Sequence, residues 1–473
     1  MNRLLIAAFS LVVGIGTASA ADNAPSSFRA GAAIADITPQ QLPVSMTGQF
    51  YDRQATDVHD PLNARCIVTE SGGVEVAIVV CDSCLITREI YDDAKQRAAE
   101  ATGIPAERIM TSATHTHTAA TAVELAQCHP DPDYVEYLTA QIARAVETAH
   151  ERLEPARVGW GVGKEPREVN NRRWFVKPEG ILPDPFGRTD ARVRMNPPPA
   201  SDILIEPAGP VDPDVSVLSV ETADGNPLAL LANYSLHYVG GIPPDQRAAD
   251  YFGEVARQIA DRLEAHDAFV GIMSNGTSGD VNNYNFREGR PPSAPFERCR
   301  KVAGRVADVA ADAHAAIEHS PVSLAMIERT LDVGVRKPDQ NELARARDLL
   351  ANAADPNRLN TEELYAQESV RLAEGPDTVE LKLQALRVGD LAIVSIPCEV
   401  FAAIGLEIKE RSPFETTFTI ALANGYNGYL PTPRQHALGG YETWRSGWSY
   451  LEVDASPKIT AVLYEMLDEL AGR

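Results

Sequence analysis

The stretch VEVAIVVCDSCLITREIYDDAKQRAAEATGIPAERIMTSATHTHT, residues 74–118, decides the fold class. It begins with an apolar run that is typical of a buried strand. Residues 86–103 follow with helical spacing and end at Gly103, which favours the backbone conformation found after a helix. Residues 104–118 return to a strand and end in a polar turn. The order of strand, helix and strand is typical of α/β proteins.

The same alternation continues along the chain. Residues 28–39 are predicted as an edge strand that Pro39 ends. Further strands are predicted at 214–221, 227–237, 268–275 and 418–431, together with a hairpin of strands over 383–400 that turns at Gly389 and Asp390. Further helices are predicted at 133–153, 251–266, 297–318, 402–412 and 458–472. No repeat and no linker rich in Pro, Gly or Ser divides the sequence. We therefore expect an α/β protein in which residues 21–473 form one large catalytic domain of mixed β-sheets flanked by helices.

The N-terminus has the layout of a secretory signal peptide over residues 1–20. Arg3 supplies a positive charge, an apolar run follows, and the small residues Ala18 and Ala20 precede the cleavage position. The apolar run is too short to span a bilayer comfortably, which argues against a membrane anchor. We expect a secreted or periplasmic protein with no transmembrane segment in its mature chain.

The composition limits the classes of partner. The chain carries 66 acidic and 43 basic residues, a formal net charge of −23, so its surface repels nucleic acid and anionic membranes. With 44% hydrophobic residues it can bury a large core. A small-molecule substrate is therefore the expected partner.

Six cysteines are too few and too scattered for a disulfide scaffold. Cys81 and Cys84 form a C-x-x-C motif, which suits a redox pair or a metal site. The motif also ends an apolar strand, which favours a structural role, and export would permit a disulfide between the two.

Residues 165–215 differ from their surroundings. This segment is rich in Pro, Arg, Asn and Asp and is too long for an ordinary connection. It is typical of a working loop beside an active site. The alternative is a surface insertion.

Two histidines carry the first chemical signal. His115 and His117 are two residues apart at the end of the predicted strand, where side chains at i and i+2 share a face. Imidazole is a standard zinc ligand and a good acid or base near neutral pH. Polar surface is the alternative for such a pair.

Three further motifs place polar groups at strand ends and in loops. His237 ends an apolar strand before a Gly-Gly turn, and Glu399 opens a predicted short helix, where a carboxylate is favoured by the helix dipole. Tyr426, Tyr429 and Tyr441 lie among glycines in one loop. Taken singly, each has a structural explanation: a polar strand end, helix capping or aromatic packing.

Together these motifs resemble the neutral, non-lysosomal ceramidase family. The resemblance runs from AGAAIADITP through VHDPLNARCIV, IPAERIMTSATHTHT, NYSLHYV, SNGTSGDV and IPCEVF to NGYNGYLPT, in the order of that family. It implies the family's catalytic fold and a Zn²⁺ site whose ligands are His115, His237, Glu399 and Tyr429.

The resemblance also implies roles around the zinc. His117 matches the residue that acts as acid and base, and Tyr441 matches a tyrosine that lines the pocket. Arg172 is the best match to an arginine that contacts the reacting group, with Arg173 as the neighbouring alternative. Zinc makes bound water acidic enough to attack an amide or ester carbonyl near neutral pH. Arg172 and Tyr441 would then donate to the developing oxyanion.

Two features depart from the family pattern. Asn282, in GDVNN, stands where the family carries a serine at the catalytic site, so we expect ceramide to be a poor substrate. The sequence also ends soon after Tyr441, so we expect no C-terminal immunoglobulin-like domain.

Three functions are compatible with these residues. The leading hypothesis is a zinc hydrolase of an amide, such as an N-acyl lipid, or of an ester. The second is a zinc hydrolase of a polar, carbohydrate-derived substrate, which the charged segment at 165–215 would suit. The third is a non-catalytic homologue, against which stands the complete set of matching ligands.

Overall fold

The computed structural model describes residues 27–289 and 291–473. The predicted signal peptide at 1–20 lies outside these residues. The helices are α1 (Arg88–Thr102), α2 (Pro132–Glu151), α3 (Asp250–Arg262), α4 (Glu297–Ala315), α5 (Gln340–Ala351), α6 (Thr361–Glu374), α7 (Ala402–Arg411), α8 (Pro433–Leu438) and α9 (Ala455–Leu470).

The strands are β1 (Phe28–Asp36), β2 (Val44–Met46), β3 (Arg53–Ala55), β4 (Asp57–Val58), β5 (Asn63–Ser71), β6 (Val74–Cys81), β7 (Ile109–Ala113), β8 (Glu154–Lys164), β9 (Asn170–Asn171), β10 (Arg173–Val176), β11 (Val193–Met195), β12 (Leu204–Pro207), β13 (Asp214–Thr222), β14 (Pro227–Tyr234), β15 (Gln246–Arg247), β16 (Val270–Asn275), β17 (Val281–Asn282), β18 (Leu324–Gly334), β19 (Thr378–Val388), β20 (Leu391–Ile396), β21 (Glu399–Val400), β22 (Thr416–Ala421) and β23 (Tyr429–Leu430).

Two mixed sheets form the centre of the molecule. The larger has eight strands in the order β16-β14-β13-β8-β1-β5-β6-β7, and the smaller has four in the order β18-β19-β20-β22. The pairs β6–β7, β14–β16 and β20–β22 are parallel, and the other pairs of these two sheets are antiparallel. The predicted α/β class is confirmed.

Alternating side chains bury both faces of the large sheet. On β6, Val79 packs in a core with α1 and α2, whereas Ile78 and Val80 pack against residues of the small sheet. On β13, Val217 packs with α3 and α4, while Leu218 joins the core between the sheets. The small sheet in turn packs on α6, α7 and α9. The result is four layers in the order helix, sheet, sheet, helix.

The N-terminal strand is not at an edge. β1 lies between β5 and β8 in the interior of the large sheet, so the edge-strand prediction was wrong. Its small residues, such as Ala32 and Ala33, are buried on both faces. A short run of alanines carries little hydrophobic signal, although it suits a strand that closely packed layers cover on both sides.

The segment at 165–215 has regular secondary structure and a small hydrophobic core. It contains β9 to β12, and β10 to β12 form a three-stranded sheet in the order β11-β10-β12. Trp174 and Val176 pack there with Phe286 in a small core of their own. Within the part of the chain that the structure covers, no helix combines the length and apolar character that a membrane span requires.

The packing of β16 against α3 generates a prediction for stability. A Cβ atom on Gly271 would lie 2.3 Å from the carbonyl oxygen of Ala256, and this backbone atom cannot yield without moving the helix. We expect Gly271→Ala to lower the free energy of unfolding by about 1–3 kcal/mol. Denaturant titration measures this.

Gly304→Ala, on α4, is the control, because its Cβ would meet only the ends of two flexible side chains, Gln258 Oε1 at 3.4 Å and Arg262 Nη2 at 3.8 Å. A helical alanine there should be neutral or stabilising by up to about 1 kcal/mol. Equal unfolding midpoints for the two variants would contradict the packing argument.

Candidate metal centre and active-site cavity

A cavity of about 480 Å³ collects the residues that the sequence motifs singled out. Each ligand candidate lies beyond the end of a buried strand of one of the two sheets. His115 comes after β7 and His237 after β14, whereas Glu399 and Tyr429 lie opposite each other on the short parallel strands β21 and β23, beyond β20 and β22. Glu399 therefore precedes α7 and does not open it, so that prediction from the sequence was wrong. The chain leaves the sheets at these points, so polar side chains can face a cavity instead of the core.

His115 and His117 reach the cavity by a different route from the predicted one. β7 ends at Ala113, and His115 has a φ of 77°, so the two histidines lie on a turn and not on one face of a strand. The backbone N–H of His115 donates to the carbonyl of Ser83 at 2.9 Å, which fixes this turn. A left-handed histidine is uncommon and costs energy, so surrounding contacts must hold it.

A backbone carbonyl holds each candidate histidine ligand through the ring nitrogen Nδ1, on the side away from the centre. Nδ1 of His115 lies 3.1 Å from the carbonyl oxygen of Cys84, and Nδ1 of His237 lies 3.2 Å from that of Ser278. A carbonyl only accepts, so each Nδ1 is assigned the proton and each Nε2 carries a lone pair. Backbone anchoring of this kind is typical of metal-ligating histidines.

The two lone pairs face each other and a carboxylate. Nε2 of His115 lies 3.1 Å from Nε2 of His237, and Glu399 Oε2 lies 3.3 Å and 3.9 Å from these two nitrogens. All three residues are buried, and Oε2 of Glu399 has no hydrogen-bond donor, although Oε1 accepts one from Tyr426 at 3.1 Å. The three ligand atoms lie close enough together to hold one ion, and among the described residues Oε2 of Glu399 has no donor of its own, so their arrangement fits a cation.

The pKa values of the same groups reflect this arrangement. Burial lowers the pKa of His237 well below its ordinary value. Burial also opposes charge on His115, but the Glu399 carboxylate and Cys84 outweigh it and raise the pKa of His115 to about 10. Burial and the charge of Glu399 raise the pKa of Tyr429 well above the usual range. A divalent cation would favour the neutral imidazole that His237 already has, and it would reverse the preferences of His115 and Tyr429 by favouring neutral imidazole and ionised oxygen.

A second donor set shares His115. Cys84, His115 and His117 also lie close enough to hold an ion, and Cys84 Sγ is 3.7 Å from Nδ1 of His115. That nitrogen already donates to a carbonyl, which leaves the set of His115, His237 and Glu399 as the better fit. All six cysteines are buried and free, so Cys81 and Cys84 form no disulfide here.

His117 lies on the accessible side of this centre. Its ring stacks on Tyr238 with a centroid distance of 3.7 Å, and its Nε2 is 3.3 Å from Nε2 of His115. Gly48 fits against the other side, because a Cβ there would lie 2.5 Å from the His117 ring. His117 is thus held within reach of the centre but is less buried than the ligand candidates.

The structure separates the two neighbouring arginines. Arg172 lines the cavity: Nε donates to Glu442 at 2.9 Å, Nη2 donates to Tyr429 Oη at 3.0 Å, and Nη1 lies 3.3 Å from His237 Nε2. Arg173 lies behind it, paired with Glu442 at 2.6 Å. Of the two alternatives left open by the sequence, only Arg172 reaches the cavity.

Tyr441 and Asn282 have different positions. Tyr441 lines the cavity with its ring centroid 5.8 Å from that of Tyr429. Asn282 is not among the residues that line the cavity; its Nδ2 donates to Asn196 Oδ1 at 3.0 Å, and Asn196 forms part of the wall. Asn282 therefore lies one layer behind the cavity surface.

The sequence motifs did not indicate a role for Glu442, Tyr238 or Asp280. Glu442 is fully buried between two guanidinium groups, and Tyr238 forms the stacking surface for His117. Asp280 accepts from the backbone N–H of Ala402 and from Asn171, while its carbonyl accepts from the N–H of Arg172. The one signal in the sequence was position: each of these residues lies within two positions of a predicted site residue, Tyr441, His237 or Asn282.

Comparisons with known proteins bear on the fold. No protein-family model and no curated protein sequence matches the chain. Among solved structures, the neutral ceramidase from Pseudomonas aeruginosa is similar with a TM-score of 0.71 and 19% identity, over 94% of this chain and 74% of that one. A ceramidase complexed with C2 is similar with a TM-score of 0.72 and 17% identity, over 94% and 76%. The chain therefore has the neutral ceramidase fold, as its motifs predicted.

The different positions of His115 and His117 predict different consequences of mutation. His115→Ala removes a converging lone pair, so we expect loss of bound zinc together with activity. His117→Ala should retain zinc and lose turnover by about 10²–10⁴-fold, the usual contribution of a general acid or base. Elemental analysis and steady-state kinetics on the same samples measure both effects.

His266→Ala, at an exposed position, is the matched control and should behave as the wild type. If His117→Ala released zinc as His115→Ala does, the assigned division of roles would be wrong.

The buried carboxylate of Glu442 generates a second prediction. Glu442→Gln keeps the side-chain volume but removes the charge that orients Arg172, so we expect kcat to fall by about tenfold to a hundredfold while zinc is retained. The double variant with Arg172→Gln should lose far less than the product of the two single effects, because both act through one group. Glu452→Gln, which removes a surface partner of Lys458, is the control. Independent, multiplicative effects would argue against this positioning role.

Proposed function

We propose that this protein is a zinc-dependent hydrolase that cleaves the amide bond of N-acyl compounds. One observation carries the proposal: two histidine Nε2 atoms and Glu399 Oε2 converge closely enough to hold one ion in the wall of an open cavity, and Oε2 has no hydrogen-bond donor among the described residues. The similar solved structures are ceramidases, and ceramide is an amide, which supports this choice of bond.

The donor set suits zinc, which binds imidazole nitrogen and carboxylate oxygen in sites of low coordination number. His115, His237 and Glu399 would hold the ion, with Tyr429 as the fourth ligand. When bound there, zinc supplies a Lewis acid that polarises a carbonyl and makes water acidic enough to be a nucleophile near neutral pH.

His117 would move the protons of the reaction. Hydrolysis breaks the C–N bond of the amide, forms a C–O bond to water and leaves one proton on the amine. The ring nitrogen Nε2 of His117 points towards the centre, where it can take a proton from water and return it to the departing nitrogen. Tyr238 would keep the ring in this orientation by stacking on it.

Arg172 and Tyr441 would stabilise the negative charge that develops on the carbonyl oxygen. Arg172 is buried and fixed through Nε by Glu442, and its two terminal nitrogens face the ligand candidates Tyr429 and His237. Donors that are already oriented before the reaction are the most effective in such a site. Loss of Glu442 would therefore affect catalysis through Arg172.

The cavity wall favours an apolar group on the substrate. Phe50, Leu125, Trp444 and Trp448 line the cavity, in addition to the tyrosines around the centre. This lining supports an amide with an apolar acyl group over the carbohydrate-derived alternative. The retained ligand set speaks against a non-catalytic homologue. Export as a secreted or periplasmic protein is part of the proposal and depends on the signal peptide predicted at 1–20.

Ceramide provides the test of specificity. We expect the zinc-loaded protein to hydrolyse soluble N-acyl amides but to turn over ceramide with kcat/KM below about 10⁴ M⁻¹s⁻¹ in detergent. Asn282→Ser should raise that value by less than about tenfold, because Asn282 lies behind Asn196 rather than on the cavity wall. The zinc-free protein should be inactive on every amide.

If the unmodified protein turned over ceramide at or above that limit, ceramide would become the leading candidate for the natural substrate. Zinc-loaded protein that cleaves no amide, ester or glycoside would contradict the proposed hydrolase.

A further inference from the structure

The cavity has an unusual charge for this protein. The chain as a whole carries a formal net charge of −23, yet Glu399 is the one carboxylate among the described residues that line the cavity. Arg172 and Arg194 line it as well. If Glu399 binds a divalent cation, its charge is offset and the cavity becomes strongly positive. An acidic protein with a positive cavity attracts anions to that cavity.

Arg194 is the cation in this wall whose charge is not balanced. It lies on β11 and is half-buried, and the one side-chain hydrogen bond that it makes to the described residues runs from Nη1 to the carbonyl of Gly180 at 3.2 Å. Within residues 27–289 and 291–473, no carboxylate lies within ion-pairing distance of its guanidinium. By contrast, Arg188 pairs with Asp184, and Arg445 pairs with Glu342.

The charge of Arg172 is balanced by an ion pair with Glu442, whereas that of Arg194 is not, so the two arginines that line the cavity have different functions. Glu442 accepts from Arg172 through Oε1 and from Arg173 through Oε2. Arg172 is thereby fixed beside the metal ligands. Arg194 keeps most of its donors for another group, and a guanidinium offers a carboxylate two parallel hydrogen bonds.

A further arginine lies beside the centre without a carboxylate. Arg53 donates through Nη2 to the carbonyl of His117, and it also has no ion-pair partner among the residues that the structure covers. Arg53 adds positive charge beside the centre but does not line the cavity, so Arg194 remains the cation placed to contact a substrate carboxylate. The walls that carry Phe50, Trp444 and Trp448 remain apolar.

We infer that the substrate is an N-acyl amino acid: an amide whose apolar acyl group packs on the aromatic wall and whose carboxylate binds Arg194. The inference rests on the proposed hydrolase function and names its substrate class. Hydrolysis would break the C–N bond of the amide, add the oxygen of water to the acyl carbon and leave a free amino acid and a fatty acid. A neutral amide such as ceramide has no group that would use the charge of Arg194.

The test compares two substrates that differ in this one charge. N-Lauroylglycine carries a carboxylate, and N-lauroylglycinamide is its neutral counterpart with the same acyl chain and scissile bond. We expect the zinc-loaded full-length protein to show a kcat/KM at least about tenfold higher for N-lauroylglycine, mainly through a lower KM. Arg194→Gln should reduce this ratio of kcat/KM values to near one, and Arg194→Lys should restore part of it.

Arg192→Gln is the matched control, because Arg192 is exposed, lies two residues away and is not among the lining residues. It removes the same charge and should leave the ratio as in the wild type. Added salt should lower the ratio for the wild type but not for Arg194→Gln.

The outcomes separate the two levels of the proposal. Equal kcat/KM values for the two amides would overturn the assignment of an anionic substrate, and a high ratio that Arg194→Gln leaves unchanged would overturn Arg194 as the partner of the carboxylate; both would leave the hydrolase intact. If the zinc-loaded protein hydrolysed neither amide but cleaved esters or glycosides, the proposed amide hydrolase activity itself would be overturned.

Discussion

The convergence of two imidazole nitrogens and one carboxylate oxygen is the constraint on which the rest of the site depends. Nε2 of His115, Nε2 of His237 and Oε2 of Glu399 are buried and lie within 3.9 Å of one another, and Oε2 has no donor among the described residues. Burying such groups together is costly unless a cation binds between them. The anchoring of both Nδ1 atoms by backbone carbonyls, and the left-handed turn at His115, serve this one arrangement.

A second group of buried charges supports the first. Glu442 joins Arg172 to Arg173, and Arg172 in turn contacts Tyr429 and His237, so the cation-binding side chains and the oxyanion donor form one connected network. The network joins residues that are far apart in sequence: His237 follows β14 of the large sheet, Arg173 lies on β10 of the three-stranded sheet and Tyr429 lies on β23. A buried ion pair contributes little net stability, but removal of one partner leaves an uncompensated charge. Such a network therefore fixes geometry more than it adds to stability.

The sequence predicted what depends on local pattern and failed where tertiary contacts decide. Helix α1 begins two residues inside its predicted range and is followed by Gly103 in the left-handed conformation, because spacing and capping are local signals. The turn at His115 depends on Ser83 and Cys84, which lie some thirty positions away, so no local pattern reports it. The choice between Arg172 and Arg173 depends on Glu442, and the interior position of β1 depends on the layers that cover its small side chains.

The most direct test of the central claim is the identity of the zinc ligands. X-ray absorption at the zinc edge of the zinc-loaded protein distinguishes sulfur, at about 2.3 Å, from nitrogen and oxygen ligands at about 2.0–2.2 Å. We predict a shell of nitrogen and oxygen with two imidazoles and no sulfur, unchanged in Cys84→Ser and lost in Glu399→Ala. A sulfur contribution that disappears in Cys84→Ser would place the metal in the alternative set of Cys84, His115 and His117. That result would contradict the assignment of His115, His237 and Glu399 as ligands.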